Sequence, residues 1–140
     1  MEKIDQIWFA ENRIFMKADT GRVFNRPIEA FPLLKNASEE ERHDFRIGKF
    51  GDDIRWDSLD EDIHISSFLE RNEPQKNVIG EVFAQYPQIN VSAFAAQIGI
   101  NKSLLAKYIY GIKTPSVARK KDIENGLHEF AEKLLRVELA

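Results

Sequence analysis

Four polar side chains near residue 101 have the chemistry needed to contact the base edges of a nucleic acid. Asn101, Lys102 and Ser103 are consecutive, and Lys107 follows Ser103 by one helical turn. Asn, Lys and Ser carry hydrogen-bond donors and acceptors that can read bases in a major groove, and a Lys can instead reach a phosphate. This chemistry requires a short helix that presents these side chains outward.

The surrounding segment, residues 94–116, has the spacing of two short helices that cross through a tight turn. Ala95 is the small residue needed where the helices touch, Gly99 can adopt the positive φ of the turn, and Asn101 can cap the second helix. Apolar residues on one face of each helix would bury them: Phe94, Ile98, Leu105 and Tyr108. The segment therefore predicts a helix-turn-helix.

The remaining positions of the second helix face outward and form the predicted base-contacting set: Asn101, Lys102, Ser103, Ala106, Lys107 and Tyr110. Gly111 is expected to end this helix, and Pro115 is tolerated in the first turn of the next one. Residues after the helix form the predicted phosphate-contacting set: Lys113, Thr114, Arg119 and Lys120.

This segment resembles the repressor-type helix-turn-helix family of the phage lambda repressor and Cro. The resemblance rests on an ungapped series of residues: Phe94, Ala95, Gly99, Ile100, Lys102, Ser103, Leu105, Gly111, Pro115 and Ser116. It implies an all-α, lambda-repressor-like domain that binds double-stranded DNA in the major groove, as a transcriptional regulator does. A unit of this shape can also be a plain packing element.

Charge is distributed unevenly along the chain. The net charge of the 140 residues is −3, but residues 1–72 carry 11 Lys and Arg against 16 Asp and Glu, whereas residues 73–140 carry 9 against 7. No acidic residue lies between Lys102 and Lys121. A basic patch of this kind favours binding to a phosphate backbone, although a solvated helix face can have the same composition.

The first half of the chain has the pattern of short strands. Apolar runs within residues 3–25 are separated by turn residues and predict an antiparallel meander. Ser38 and Glu41 form a capping box for a short helix, and Ile54 and Trp56 belong to a further strand. Residues 51–69 are similar to the end of the bacterial family known as domain of unknown function 2442, some members of which resemble antitoxin partners of small toxins.

These patterns predict an α+β protein with two domains. Residues 1–72 would form a small antiparallel-sheet domain with short helices, and residues 73–140 the helix-turn-helix domain with a long C-terminal helix. The polar segment 71–76, which contains Pro74, would link them.

The long helix after Ser116 carries an apolar seam that admits two interpretations. Its residues recur at intervals of four and three: Ile123, Leu127, Phe130, Leu134 and Val137. The seam could pack on its own domain, or part of it could pair two chains in a homodimer. Gly126 lies within this helix and could bend or break it.

The sequence offers no catalytic, cofactor or metal site. It contains no Cys, its three His residues are scattered, and no nucleophile elbow or phosphate-binding loop is present. The acidic group at residues 57–62 lacks the alternate spacing of a calcium loop. No apolar run could span a bilayer and no signal peptide is recognisable, so a cytoplasmic location is expected.

Two functions remain open at this level. The favoured one is a sequence-specific DNA-binding protein and transcriptional regulator. The alternative is an antitoxin or protein-interaction module whose acidic N-terminal domain binds a partner protein. An enzyme is not expected.

Overall fold

The computed structural model describes all 140 residues, and the chain forms two compact units. The N-terminal unit is Met1–Gln75 and the C-terminal unit is Lys76–Ala140. The N-terminal unit holds two three-stranded antiparallel sheets and short helices, and the C-terminal unit is helical. The predicted α+β class is confirmed.

The first sheet is the meander expected from residues 3–25. It consists of β1 (Ile4–Ala10), β2 (Arg13–Ala18) and β3 (Val23–Pro27), in that order and antiparallel throughout. Glu11 and Asn12 both have positive φ, 53° and 60°, and form the two-residue turn between β1 and β2. Two consecutive positive φ angles give the turn a twist that matches the strands it joins.

Alternate residues of β2 are buried, which defines the inner face of this sheet. Ile14, Met16 and Ala18 are all at most 1% exposed. Arg26 of β3 pairs with Ile14 and is therefore also on the inner face, where it is 1% exposed. The alternation of side chains between the two faces of a strand thus places one charged residue among apolar ones.

The rest of the N-terminal unit contains two short helices and the second sheet. A 3-10 turn at Ile28–Ala30 precedes α1 (Pro32–Lys35) and α2 (Glu39–His43), and the predicted capping box of Ser38 and Glu41 is present. The second sheet has the order β4-β5-β6. Its strands are β4 (Arg46–Ile47), β5 (Asp53–Trp56) and β6 (Glu61–His64), and 3-10 turns follow β5 and β6 at Asp57–Leu59 and Ile65–Leu69.

The C-terminal unit contains four helices: α3 (Val78–Gln85), α4 (Val91–Gln97), α5 (Lys102–Tyr110) and α6 (Val117–Leu135). A side-chain oxygen caps each of them by accepting a backbone N–H of the first turn. The capping residues are Asn77, Asn90, Asn101 and Ser116. The predicted cap at Asn101 is confirmed.

An apolar cluster at the centre of this unit joins all four helices. Its buried members are Phe83, Phe94, Ala95, Leu105, Tyr108 and Ile123. The rings of Phe83 and Phe94 meet edge to face with centroids 5.5 Å apart, a favourable aromatic geometry. None of the helices in the chain is long and apolar enough to cross a membrane.

One sequence prediction about a helix start is wrong. Pro115 does not lie in the first turn of α6 but precedes its cap. Ser116 takes the cap position because its hydroxyl accepts the N–H of Arg119 at 3.1 Å.

Gly126 does not break α6, which is continuous over its 19 residues. The glycine is buried, and a Cβ atom placed on it would lie 2.5 Å from Cγ2 of Ile98 and 3.1 Å from Cζ of Phe94. The close packing of α6 on Phe94 and Ile98 therefore requires glycine at this position. This packing offsets the poor helix propensity of glycine.

Candidate nucleic-acid interface

The turn between α4 and α5 is closed by the residues predicted for it. Gly99 has φ of 76°, and the N–H of Ile100 donates to the carbonyl of Ala95 at 3.0 Å. The Asn101 side chain accepts the N–H of Ser103 at 2.7 Å, so it fixes the start of α5. The direction of α5 is therefore set by local hydrogen bonds as well as by its buried face.

The end of α5 is equally well defined. Gly111 has φ of 76° and donates its N–H to the carbonyl of Tyr108, while Ile112 donates to the carbonyl of Lys107 at 2.9 Å. This pair of hydrogen bonds is the Schellman arrangement, and Ile112, the residue after the glycine, is buried. Gly111 thus ends the helix as predicted.

Three of the predicted base-contacting residues share one side of α5. Ser103, Lys107 and Tyr110 follow each other at intervals of four and three, and all three side chains are partly exposed. They lie opposite Leu105 and Tyr108, which are buried in the apolar cluster. Asn101 and Lys102 are exposed at the N-terminal end of the same helix.

Ala106 does not belong to this outer surface, contrary to the sequence prediction. It is only 9% exposed. Its methyl group ends close to the backbone, and helical side chains of the following turn lean back toward the N-terminus over such a position. A helical wheel places Ala106 outward, but it does not show which neighbouring groups remove a position from solvent.

The predicted phosphate-contacting residues differ in exposure and pairing. Lys113 and Thr114 are exposed in the connection between α5 and α6, and Lys120 is exposed in the early part of α6. Neither Lys113 nor Lys120 makes an ion pair. Arg119 is half-buried and lies 4.0 Å from Asp122, so part of its charge is already offset within the chain.

The N-terminal ends of α5 and α6 also carry no acidic residue. Neither helix has an Asp or Glu in its first turn, whereas the first turn of α2 contains three Glu residues. A helix N-terminus attracts negative charge, which an acidic side chain normally supplies. At α5 and α6 the nearby charged side chains are instead basic, namely Lys102, Arg119 and Lys120.

Side chains that the sequence did not single out hold this region in place. Asn77 donates through Nδ2 to the carbonyl of Ile109 at 3.2 Å, and Gln97 donates through Nε2 to the carbonyl of Gly126 at 3.0 Å. These bonds join the start of α3 to the end of α5 and the end of α4 to α6. No local pattern could reveal them, because each connects residues about thirty positions apart.

The N-terminal unit has a charged cavity of about 350 Å³ beside β3. Arg13 forms a two-pronged pair with Glu73 at 2.8 and 3.0 Å, which lowers the pKa of Glu73 and raises that of Arg13. Arg26 donates to the carbonyls of Glu70 and Asn72. Arg13 and Glu73 thus offset each other's charge, and Arg26 binds backbone carbonyls, so these contacts hold the segment of residues 70–73.

Two carboxylates in and just after β5 of the second sheet, those of Asp53 and Asp57, have shifted pKa values. Burial raises the pKa of Asp53, and the nearby Asp62 raises it further. Asp57 lies between Arg46 and Arg55, at 3.0 and 3.2 Å, and these partners lower its pKa. No group of three or more His, Asp or Glu side chains is arranged to hold a metal ion.

Comparison with known proteins gives one family match. The family described as protein of unknown function DUF2442 matches residues 4–74, the half of the chain with the predicted resemblance. The chain matches no curated protein.

Two solved structures show a distant likeness. One is a protein of unknown function from Rhodospirillum rubrum, with 18% identity, a TM-score of 0.44, and coverage of 49% of this chain and 86% of that one. The other is described as a candidate DNA-binding protein from Nitrosomonas europaea, with 11% identity, a TM-score of 0.36, and coverage of 88% and 84%. At these scores neither likeness assigns a function.

Proposed function

The chain belongs to the DUF2442 family of proteins of unknown function, and we propose that its C-terminal unit binds double-stranded DNA and that the protein regulates transcription. The family description names no activity, so the proposal is argued from the residues of the C-terminal unit. Its central element is α5, which would enter the major groove as the second helix of a lambda-repressor-like helix-turn-helix.

The observation that carries this proposal is the division of α5 into two faces. Leu105 and Tyr108 anchor one face in the apolar cluster, and the opposite face presents Ser103, Lys107 and Tyr110. The anchored face fixes the helix, so the presented side chains have a defined direction. Such fixed polar side chains are what direct readout of base edges requires.

Residues at the two ends of α5 would complete the contact. At the N-terminal end, Lys102 is exposed and can reach a base or a phosphate, while the Asn101 amide keeps its N–H donors although its oxygen caps the helix. Beyond the C-terminal end, Lys113, Thr114, Arg119 and Lys120 would contact phosphates. The helix N-termini without acidic residues add to the attraction.

The first experiment is a binding selection on random-sequence DNA duplexes at low salt with the full-length protein. We expect the selected duplexes to share a short motif. The absence of any duplex binding at low salt would reject the proposal.

Two variants test the assigned roles. Lys102→Ala should weaken binding to the selected site by about 1–3 kcal/mol and change the preferred bases, because a base-contacting side chain is lost.

Arg119→Ala should weaken binding to all sequences alike and reduce the salt slope by about one, because one phosphate contact is lost. Titrations at several salt concentrations measure both effects.

Lys49→Ala is the matched control, since it removes one positive charge from the N-terminal unit, where the side chain is exposed. Its affinity and salt slope should stay near those of the unmodified protein. If Lys49→Ala and Lys102→Ala had equal effects, binding would reflect overall charge rather than the surface of α5.

A second candidate function follows from the acidic character of the N-terminal unit. Residues 1–75 carry 11 Lys and Arg against 17 Asp and Glu, and Glu39 and Glu40 are exposed at the start of α2. This surface would suit a basic protein partner, such as a small toxin encoded beside this gene. Co-expression with an adjacent small reading frame should then give a stable complex, whose failure to form would count against this function.

A further inference from the structure

The cavity of about 350 Å³ beside β3 is lined by more positive than negative side chains. Its charged lining consists of two glutamates and four arginines: Glu70, Glu73, Arg13, Arg22, Arg26 and Arg71. Glu73 pairs with Arg13 at 2.8 Å, and Glu2 pairs with Arg22 at 2.9 Å. Glu70 is then the remaining carboxylate for both Arg26 and Arg71, so one positive charge is in excess.

Arg26 is buried in this lining without a close carboxylate. It is 1% exposed, and its hydrogen bonds are those of Nη1 to two backbone carbonyls. Nε has no partner, and the Glu70 carboxylate lies 3.7 Å from Nη2, which is too long for a hydrogen bond. Because burying a charge is costly unless an opposite charge and hydrogen bonds satisfy it, this guanidinium favours a further acceptor.

Two exposed residues of the lining leave room for such an acceptor. The Glu70 side chain is 64% exposed, so it can leave Nη2 at little cost, and its present position shows that a carboxylate can approach Nη2 from solvent. Arg71 is exposed and makes no ion pair. An incoming carboxylate can therefore replace that of Glu70 and attract the guanidinium of Arg71.

Apolar side chains in the same lining are left uncovered. Val23 is 53% exposed and Leu69 is 61% exposed. The ring of Phe24 is partly exposed, with the guanidinium of Arg22 4.7 Å from its centroid. A small apolar body would bury this surface, and the cavity volume falls within the range of about 300–1,000 Å³ that is usual for small-molecule sites.

We propose that this cavity binds a small organic monocarboxylate, whose carboxylate accepts a hydrogen bond from Nη2 of Arg26 and pairs with Arg71. Its apolar body packs on Val23 and Leu69. A single excess positive charge suits a monoanion, whereas a phosphate dianion would be repelled by the glutamates of the lining. The site lies within the N-terminal unit, goes beyond the proposed DNA binding and does not depend on it.

Benzoate is the probe for the first test, because it joins one carboxylate to a small apolar ring. It is titrated into the isotope-labelled full-length protein, and the backbone amides are followed by heteronuclear NMR. We expect saturable shifts in the millimolar range for the amides of residues 23–26 and 69–73. No saturable shift of these amides would overturn the proposal.

Two further probes test which part of benzoate is recognised. Benzamide has a similar shape but no charge, and inorganic phosphate has charge but no apolar body. Both should bind about ten-fold more weakly than benzoate, since each lacks one of the two kinds of contact. If benzamide bound as well as benzoate, no carboxylate would be recognised; if phosphate did, the site would be a general anion site. Either result would overturn the monocarboxylate assignment.

Two variants of the exposed lining residues should change benzoate affinity in opposite directions. Arg71→Gln should weaken binding about three- to ten-fold, because a charged partner of the carboxylate is lost. Glu70→Gln should strengthen binding about five-fold, because it removes the carboxylate that competes for Nη2. The backbone carbonyl of residue 70 still accepts from Arg26 in this variant. Unchanged or weaker binding in Glu70→Gln would exclude Nη2 as the contact.

Arg136→Gln is the matched control for Arg71→Gln. Arg136 is an exposed arginine of the C-terminal unit and makes no ion pair, so its replacement removes the same charge outside the cavity. Its benzoate affinity should equal that of the unmodified protein. A loss as large as that of Arg71→Gln would mean that binding follows overall charge, and would overturn the assigned cavity.

Discussion

Arg26 is a charged side chain inside the N-terminal unit. It is 1% exposed, and its Nη1 donates to the carbonyls of Glu70 at 3.1 Å and Asn72 at 2.7 Å. Its Nε has no partner, the Glu70 carboxylate lies 3.7 Å from Nη2, and burial lowers its pKa. Burying a guanidinium with two carbonyl acceptors and only a distant carboxylate costs folding free energy. Its hydrogen bonds tie the end of this unit to the first sheet.

The Arg13–Glu73 pair next to it should make stability depend on pH. Arg13 lowers the pKa of Glu73 in the folded state, so the pair's contribution is present above the unfolded pKa of about 4.3 and is lost as pH falls through the folded pKa. Because Glu73 is half-exposed, Glu73→Gln should lower the free energy of unfolding at pH 7 by only about 0.5–1 kcal/mol. Urea denaturation at pH 7 and pH 3 measures the difference, which should be smaller at pH 3 because protonation of Glu73 removes the ion pair.

Glu11→Gln serves as the control, since Glu11 is exposed and makes no ion pair. It should leave the free energy of unfolding unchanged at both pH values. An effect of Glu73→Gln that was equally large at pH 3 would exclude the ion pair as its cause.

At the scale of elements, close contact between α6 and the end of α4 organises the C-terminal unit. Gly126 permits it, and the bond from Gln97 to the Gly126 carbonyl reinforces it. The other side of the unit has a similar arrangement, where a Cβ atom on Gly80 would lie 2.5 Å from the carbonyl oxygen of Ile109. Both glycines therefore serve helix packing rather than turns.

Gly126→Ala should destabilise the protein although Ala favours a helix by about 1 kcal/mol. The added methyl group would lie 2.5 Å from Ile98, and such overpacking costs about 1–3 kcal/mol. We expect a net loss of about 1 kcal/mol in the free energy of unfolding, measured by urea denaturation of the C-terminal unit within the full chain.

Asn125→Ala is the control for helix propensity, because Asn125 is exposed on the same helix. It should be neutral or slightly stabilising. Adding Ile98→Ala to Gly126→Ala should then cost less than the two single changes together, because the clash is removed. Strict additivity would show that the methyl group does not meet Ile98.

In the whole molecule, the two units carry net charges of opposite sign. Residues 1–75 have a net charge of −6 and residues 76–140 a net charge of +3, by count of Lys, Arg, Asp and Glu. A negatively charged unit attached to a DNA-binding one repels the same phosphates that its neighbour attracts. On the proposed function, the N-terminal unit should therefore weaken DNA binding by the C-terminal unit through charge repulsion.

Removal of residues 1–75 should raise duplex affinity at low salt, on the order of ten-fold, by removing this repulsion. The separate C-terminal unit has its own apolar cluster to support folding. The gain should shrink near physiological salt, where the screening length is about 8 Å. Titrations of both proteins with one duplex at several salt concentrations test this; a gain that did not depend on salt would point to steric blocking instead.

The sequence by itself determined features that depend on neighbours along the chain. The strand pattern of residues 3–25, the caps at Asn101 and Ser38, and the turn at Gly99 each depend on residues within about four positions. Their side chains and φ angles act on the nearest backbone groups, so the identity of the residue is enough to predict the geometry. The resemblance of residues 51–69 to the DUF2442 family was also recognisable from the sequence, and the family match extends over residues 4–74.

Only the tertiary structure decided which residues are covered and by what. Ala106 is buried despite its outward position, Gly126 packs against residues nearly thirty positions away, and the apolar row of α6 is buried at Ile123 but exposed at Leu134. Periodicity gives the direction of a side chain but not what lies in that direction. Burial depends on which distant elements come together, and their contacts leave no periodic trace in the sequence.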